Sequence, residues 1–259
     1  MKSGWHKVPG TILLALAGGL AAGGAGAAIV NVAGAQFDVR YDDVQLDPLS
    51  GQFSLFGAPV ISGANIIFRP NNLFASSTAD GLVIVPATFN LTIVPHAGQS
   101  LQISGLSLTE LGDFSLLGAG SYVCIGGQLI AYDPSNLFSY TTSNISMVSP
   151  ANTGNTVTAP PNVQNANWVG QAGISGNPLP FANLAGTNVI LENQLQAAAS
   201  ISDPNSLAFI QKKVAGDTVT LTVVTPVPVP AAVWLLGSGM LGLVGATRRR
   251  GRSISKNVV

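Results

Sequence analysis

The sequence predicts an all-β fold over residues 36–225, an antiparallel sandwich of jelly-roll type, and three observations carry that expectation. Short runs alternate polar and apolar residues, which is the period of a half-buried strand. Turn-forming pairs separate those runs. The chain is poor in charge, with 8% of its 259 residues charged, yet 47% hydrophobic. A disordered, charge-rich chain has the opposite composition.

The expected elements follow in order. Residues 36–44 and 64–68 read as early strands. Leu82-Val83-Ile84-Val85 is a continuous apolar run, which suits a strand buried on both faces. Residues 89–94 and 100–104 alternate, and Leu106-Ser107-Leu108 continues after Gly105. Residues 122–125 and 128–132 flank Gly126-Gly127, which predicts a hairpin because glycine accepts the positive φ of tight turns. Asp47-Pro48, Asp133-Pro134, Asn177-Pro178 and Asp203-Pro204 mark loops, and residues 149–161 read as one long surface loop. Residues 191–199 are the one helix candidate and fit a strand with a polar face equally well. Residues 218–223 alternate cleanly and close the domain. The chain carries no internal repeat of fixed period.

Charge is distributed unevenly. All eleven acidic residues lie from Asp38 to Asp217, opposed there only by Arg40, Arg69, Lys212 and Lys213, which leaves the middle at −7. An acidic middle argues against nucleic acid as a partner, since phosphate needs Lys and Arg. The remaining basic residues sit at the two ends, beside apolar runs, as membrane targeting requires. At the N-terminus Lys2, His6 and Lys7 precede the apolar stretch 12–20 and then Ala25-Gly26-Ala27. Residues 1–27 therefore read as a secretory signal helix cleaved after Ala27. Ala33-Gly34-Ala35 offers a competing site that would move the end to Ala35.

The C-terminal segment, 226–252, has three parts. Pro226, Pro228 and Pro230 alternate, and they force an extended backbone. An uncharged run, 231–246, follows and would span about 24 Å as a helix, just short of a bilayer core. Its anchoring residues are Ala231, Trp234, Leu235, Leu236, Leu241, Leu243 and Val244. A basic cluster, 248–252, then stops transfer through Arg248, Arg249 and Arg250. A plain membrane anchor with no processing is the alternative reading.

This tail resembles the PEP-CTERM family of sorting signals, in the variant with a Val-Pro-Leu-Pro-Ala pattern, here Val227-Pro228-Val229-Pro230-Ala231. Val229 stands where the family often carries Glu. The resemblance implies an exosortase as partner, cleavage near Pro228 to Pro230, and transient residence in the inner membrane. Delivery to the cell envelope or to extracellular polysaccharide follows from it. In the body, Gly112-Asp113-Phe114, Gly126-Gly127-Gln128-Leu129 and residues 208–213 are similar to segments of uncharacterised proteobacterial PEP-CTERM proteins, which implies one ectodomain and no activity.

Catalytic signals are weak. His96 is the one histidine beyond the signal, in a turn-like Pro-His-Ala-Gly, and reads as an exposed loop residue. No nucleophile elbow, His-Glu-x-x-His, zinc-spaced Cys pair or phosphate loop is present. Asp42, Asp43 and Asp47 read as a solvated strand edge before they read as calcium ligands. Glu110 and Asp113, with Gly112 between, read as a turn before they read as a glycosidase pair. Cys124, the only cysteine, reads as a buried strand residue. Trp168 is a core aromatic or a sugar-stacking platform. Asn90 and Asn144 open short sequons of low specificity. The expectation is a non-enzymatic, cofactor-free, exported structural protein of the envelope or polysaccharide matrix. A carbohydrate-binding or adhesive module is second, and a secreted hydrolase third.

Overall fold

The computed structural model describes residues 28–42, 55–70, 72–78, 81–99, 101–150, 154–158, 162–176, 179, 186–212 and 219–226. They form fifteen strands and no helix, arranged as two antiparallel sheets. The first sheet runs β1 (Ile29–Val32), β2 (Asp38–Asp42), β6 (Leu82–Val94), β13 (Thr187–Ala198), β8 (Tyr122–Asp133) and β11 (Thr156–Thr158). A further strand, β9 (Asn136–Asn144), pairs the other half of β8. The second sheet runs β10 (Ser146–Ser149), β12 (Val163–Ser175), β7 (Gly105–Leu117), β15 (Val219–Val224), β4 (Asn65–Phe68) and β3 (Val60–Ser62). Beside β15, β14 (Leu207–Lys212) pairs the far half of β7 and passes on to β5 (Phe74–Ser77).

The two inner faces share one apolar core, built from alternate residues of each strand as the pleat demands. In β13, Leu191, Asn193, Leu195 and Ala197 point inward while Glu192, Gln194 and Gln196 point out. Residues 191–199 are thus almost wholly strand, at the centre of the first sheet. Phe56, Phe68 and Phe89 meet edge to face at one end of the core, with ring centroids 5.0 to 6.0 Å apart.

Several sequence expectations are corrected. Gly126-Gly127 is not a hairpin but the middle of β8, whose pairing with β13 runs unbroken through Gly126↔Gln194 and Gly127↔Asn193. Gly127 has φ +130°, and a Cβ there would lie 2.0 Å from the Glu192 carbonyl oxygen. The glycine serves close approach of two strands rather than reversal. The reversal falls at Asp133, whose carboxylate accepts from the Ser135 N–H at 2.8 Å, an Asx turn. The run 82–85 is not buried on both faces: Leu82 is 50% and Ile84 45% exposed, because they alternate onto the outer face of the first sheet. Pro86 stands opposite Gln194 of β13, and β2 does not reach it on the other side. Residues 101–104 lie outside the ladder, which starts at Gly105. The loop 149–161 contains β11, and the first sheet begins at Ile29, ahead of residue 36. Glu110 to Asp113 is mid-strand, not a turn.

On the inner face of the second sheet, Trp168, Gly112 and Lys212 stand in register across three strands. A Cβ on Gly112 would lie 2.2 Å from the Trp168 ring and 2.2 Å from the Gln211 carbonyl oxygen. The indole occupies the space that a side chain would need. Gly112→Ala, which raises strand propensity elsewhere, is expected here to destabilise by about 1–3 kcal/mol through overpacking. Urea denaturation of the variant against the parent chain measures it.

Candidate functional site

Among the described residues, burial of charge marks one chemically unusual place in the core. On β7 the inward positions are Leu108, Glu110, Gly112 and Phe114, so strand alternation puts a carboxylate into the sandwich. On β14 the same alternation places Ala208, Ile210 and Lys212 inward. Lys212 Nζ lies 2.6 Å from Glu110 Oε2, with the side chains 0% and 1% exposed. From the opposite sheet, Asn193 Nδ2 donates to Glu110 Oε1 at 2.8 Å. The carboxylate therefore bridges an amine on one oxygen and a carboxamide on the other, across the gap between sheets.

Backbone positions this cluster. Glu110 pairs with Val219 of β15, and Gly112 pairs with Lys212 of β14, so β7 changes partner here. The Lys212 N–H donates to the Leu73 carbonyl at 3.0 Å and fixes the end of β14. Aromatic rings wall the ammonium: Phe56 is 5.7 Å and Trp168 5.8 Å from Nζ, within cation–π reach. Trp168 Nε1 donates to the Gln211 carbonyl at 3.1 Å, which satisfies the indole inside the core. Glu110 is the one oxygen partner of Nζ among the described residues. Burial pushes the Lys212 amine well below the usual lysine range, and the Glu110 carboxylate partly opposes that.

The outer face of the first sheet is the second notable surface. It carries little charge across β13, β8 and β9. Tyr132 pairs with Tyr140, Ile130 with Thr142 and Gln128 with Asn144. On the other side Asn188 lies beside Tyr132, and its Oδ1 accepts from the Thr92 hydroxyl at 2.5 Å. Glu192 is the carboxylate near the middle, and burial pushes its pKa up. Phe138 is 94% and Tyr140 61% exposed at one end.

The sequence-predicted residues are scattered. Trp168 is fully buried, so it presents no ring face to a sugar. Asp113 points away from Glu110 on the opposite face of β7 and accepts from Gln211 Nε2 at 3.0 and 3.2 Å. The two carboxylates therefore do not converge. His96 closes the expected turn, with the Gln99 N–H bonded to its carbonyl at 2.9 Å. Its ring is half-buried rather than exposed, 3.0 Å from the Gly34 carbonyl and 3.3 Å from Asp38 Oδ1. Cys124 is half-buried on the outer face of β8, not in the core. Asn90 and Asn144 are exposed on that face too. Ala35 is exposed between β1 and β2. Asp43, Asp47, the Ala27 site, the Val227–Pro230 motif, the anchor 231–246 and the basic cluster lie outside the described residues. Among the described residues no cluster suits a metal ion, and no helix is long and apolar enough to cross a membrane.

Sequence reasoning missed Lys212 and Asn193. A signal was present: each is the polar exception at an inward position of an otherwise apolar alternation, Ala208-Ile210-Lys212 and Leu191-Asn193-Leu195.

No family model matches this chain, and no curated protein does. Among solved structures, a chain from the "Structure of infectious bursal disease virus Gt strain" is similar at 10% identity. The match covers 82% of this chain and 60% of that one with a TM-score of 0.12, too low to carry an argument.

Breaking the buried pair on one side leaves a lone charge in the core, whereas removing both ends leaves apolar packing. Glu110→Leu alone is expected to be less stable than the Glu110→Leu, Lys212→Met double variant by roughly 2–4 kcal/mol. Equilibrium unfolding in urea compares the two directly.

Proposed function

We propose that this protein is an exported structural component of the bacterial envelope or its polysaccharide matrix. An exosortase sorts it through the C-terminal tail. The observation that carries the reading is the order of the tail: the proline motif Val227-Pro228-Val229-Pro230, an uncharged run, then Arg248-Arg249-Arg250. Its placement adds support, because β15 ends at Val224, immediately ahead of the proline motif. At the other end, cleavage after Ala27 keeps β1 in the mature protein, while cleavage after Ala35 would remove that edge strand. We therefore favour Ala27. The reading is non-enzymatic: Glu110 and Asp113 face opposite ways, and His96 is engaged by Gly34 and Asp38. Mature protein from the native host is expected to start at Ala28 and to lack everything after about Pro230. Intact-mass analysis that finds Arg248 to Arg250 retained would leave only the plain anchor.

A second reading, carbohydrate binding, draws on the outer face of the first sheet. Neutral polysaccharides are bound by flat aromatic surfaces ringed with amides and hydroxyls, and the Tyr132–Tyr140 pair with Asn188, Gln128, Thr142 and Asn144 supplies both. This replaces Trp168 as the stacking residue. Tyr140→Ala is expected to weaken retention on the host's polysaccharide roughly tenfold while leaving the melting temperature unchanged. Affinity electrophoresis reads the first and thermal denaturation the second; equal retention by parent and variant removes this reading.

A further inference from the structure

We propose that Lys212 and Asn193 are the two ends of an intramolecular isopeptide cross-link that the fold forms by itself, with Glu110 carrying the protons. Three observations meet at one point. The amine and the carboxamide are held on the two oxygens of one carboxylate, at 2.6 and 2.8 Å. All three side chains are buried, Lys212 at 1%, Glu110 at 1% and Asn193 at 5% exposure. Two aromatic rings flank the amine, and among the described residues it has no oxygen partner besides Glu110.

Such a place is costly for a salt bridge and favourable for a nucleophile. A charged pair in low dielectric gains by transferring the proton and becoming a neutral amine and a neutral acid. Burial lowers the lysine pKa in the direction that this transfer needs. A desolvated lysine amine is an activated nucleophile.

The chemistry balances within the triad. Glu110 takes one proton from the Lys212 ammonium. The Nζ lone pair adds to Asn193 Cγ, so the Nζ–Cγ bond forms and the carbonyl oxygen takes up negative charge. Protonated Glu110 gives its proton to Nδ2, the atom already hydrogen-bonded to it, and then accepts the surplus proton from Nζ. The carbonyl re-forms, the Cγ–Nδ2 bond breaks and ammonia leaves. The products are a secondary amide, one ammonia and protonated Glu110. No oxidant, metal or co-reactant enters.

Two glycines give the triad its room. Gly112 lets the Trp168 ring lie against β7 beside Lys212, and Gly127 lets β8 approach β13 opposite Asn193. The link would join β14 of one sheet to β13 of the other. It would staple the two layers in a chain whose single cysteine, Cys124, rules out an internal disulfide.

The test is peptide mapping of the purified full chain. An endoprotease that cuts before aspartate releases Asn193 on residues 133–202 and Lys212 on residues 203–216. These two peptides are expected to appear joined, at their summed mass less about 17 Da, the ammonia lost when lysine displaces the amide. In Glu110→Gln and in Lys212→Met they are expected to appear separately, and the melting temperature to fall, since a covalent staple restricts the unfolded chain. Separate parental peptides at sequence mass overturn the proposal, whether or not the variants fold. Lys212 joined with loss of water to residues 80–112, which carry Glu110, overturns the choice of Asn193. A link formed fully in Glu110→Gln overturns the role of that carboxylate.

Discussion

The interior depends on one carboxylate. Glu110 stands on the central strand of the second sheet and reaches both Lys212 beside it and Asn193 on the facing sheet. An isolated charge there would cost several kcal/mol, so Glu110 and Lys212 each require the other. That mutual need fixes the relative position of β7, β14 and β13. It also sets the point where β7 hands over from β14 to β15. A polar cluster of this kind is weak evidence for stability as such and stronger evidence for register, because a slip of one residue would turn each charge outward.

The aromatic and glycine residues around the cluster follow from it. Trp168 shields the ammonium, and its own N–H is satisfied by the Gln211 carbonyl. That packing is possible only because Gly112 has no side chain. A single inner row, Trp168-Gly112-Lys212, therefore joins the largest buried aromatic to the buried charge. The outer face of the other sheet is its counterpart: amides, hydroxyls and tyrosines lie side by side along β13, β8 and β9, with little charge. Inside, the molecule spends its polar groups on holding two layers together. Outside, it presents them to whatever surrounds it.

Much of the fold was legible in the sequence. The strands expected at 36–44, 64–68, 89–94 and 218–223 are β2, β4, the far half of β6 and β15; in the last two the alternation shows it, because period two is a local property of a half-buried strand. Where sequence reading went astray, long-range contact decided. Gly126-Gly127 has the local chemistry of a turn, but the length of β13 carries β8 straight through it. The apolar run 82–85 suits burial on both faces, yet Leu82 and Ile84 alternate onto the outer face of the sheet. Of the candidate site, Glu110 and Trp168 were singled out, but with the wrong companions. Asp113 was paired with Glu110 on nearness in sequence, although three residues along a strand reverse the side.

The sequence by itself determined the β-class of the domain, the acidic charge of its middle and the order of parts at its two ends. These are local or compositional properties, readable wherever the chain goes. Only the tertiary structure decided that Glu110, Lys212 and Asn193 meet, since they come from three strands separated by up to 102 positions. Strand pairing and sheet stacking bring them together, and neither leaves a trace in any short window of sequence.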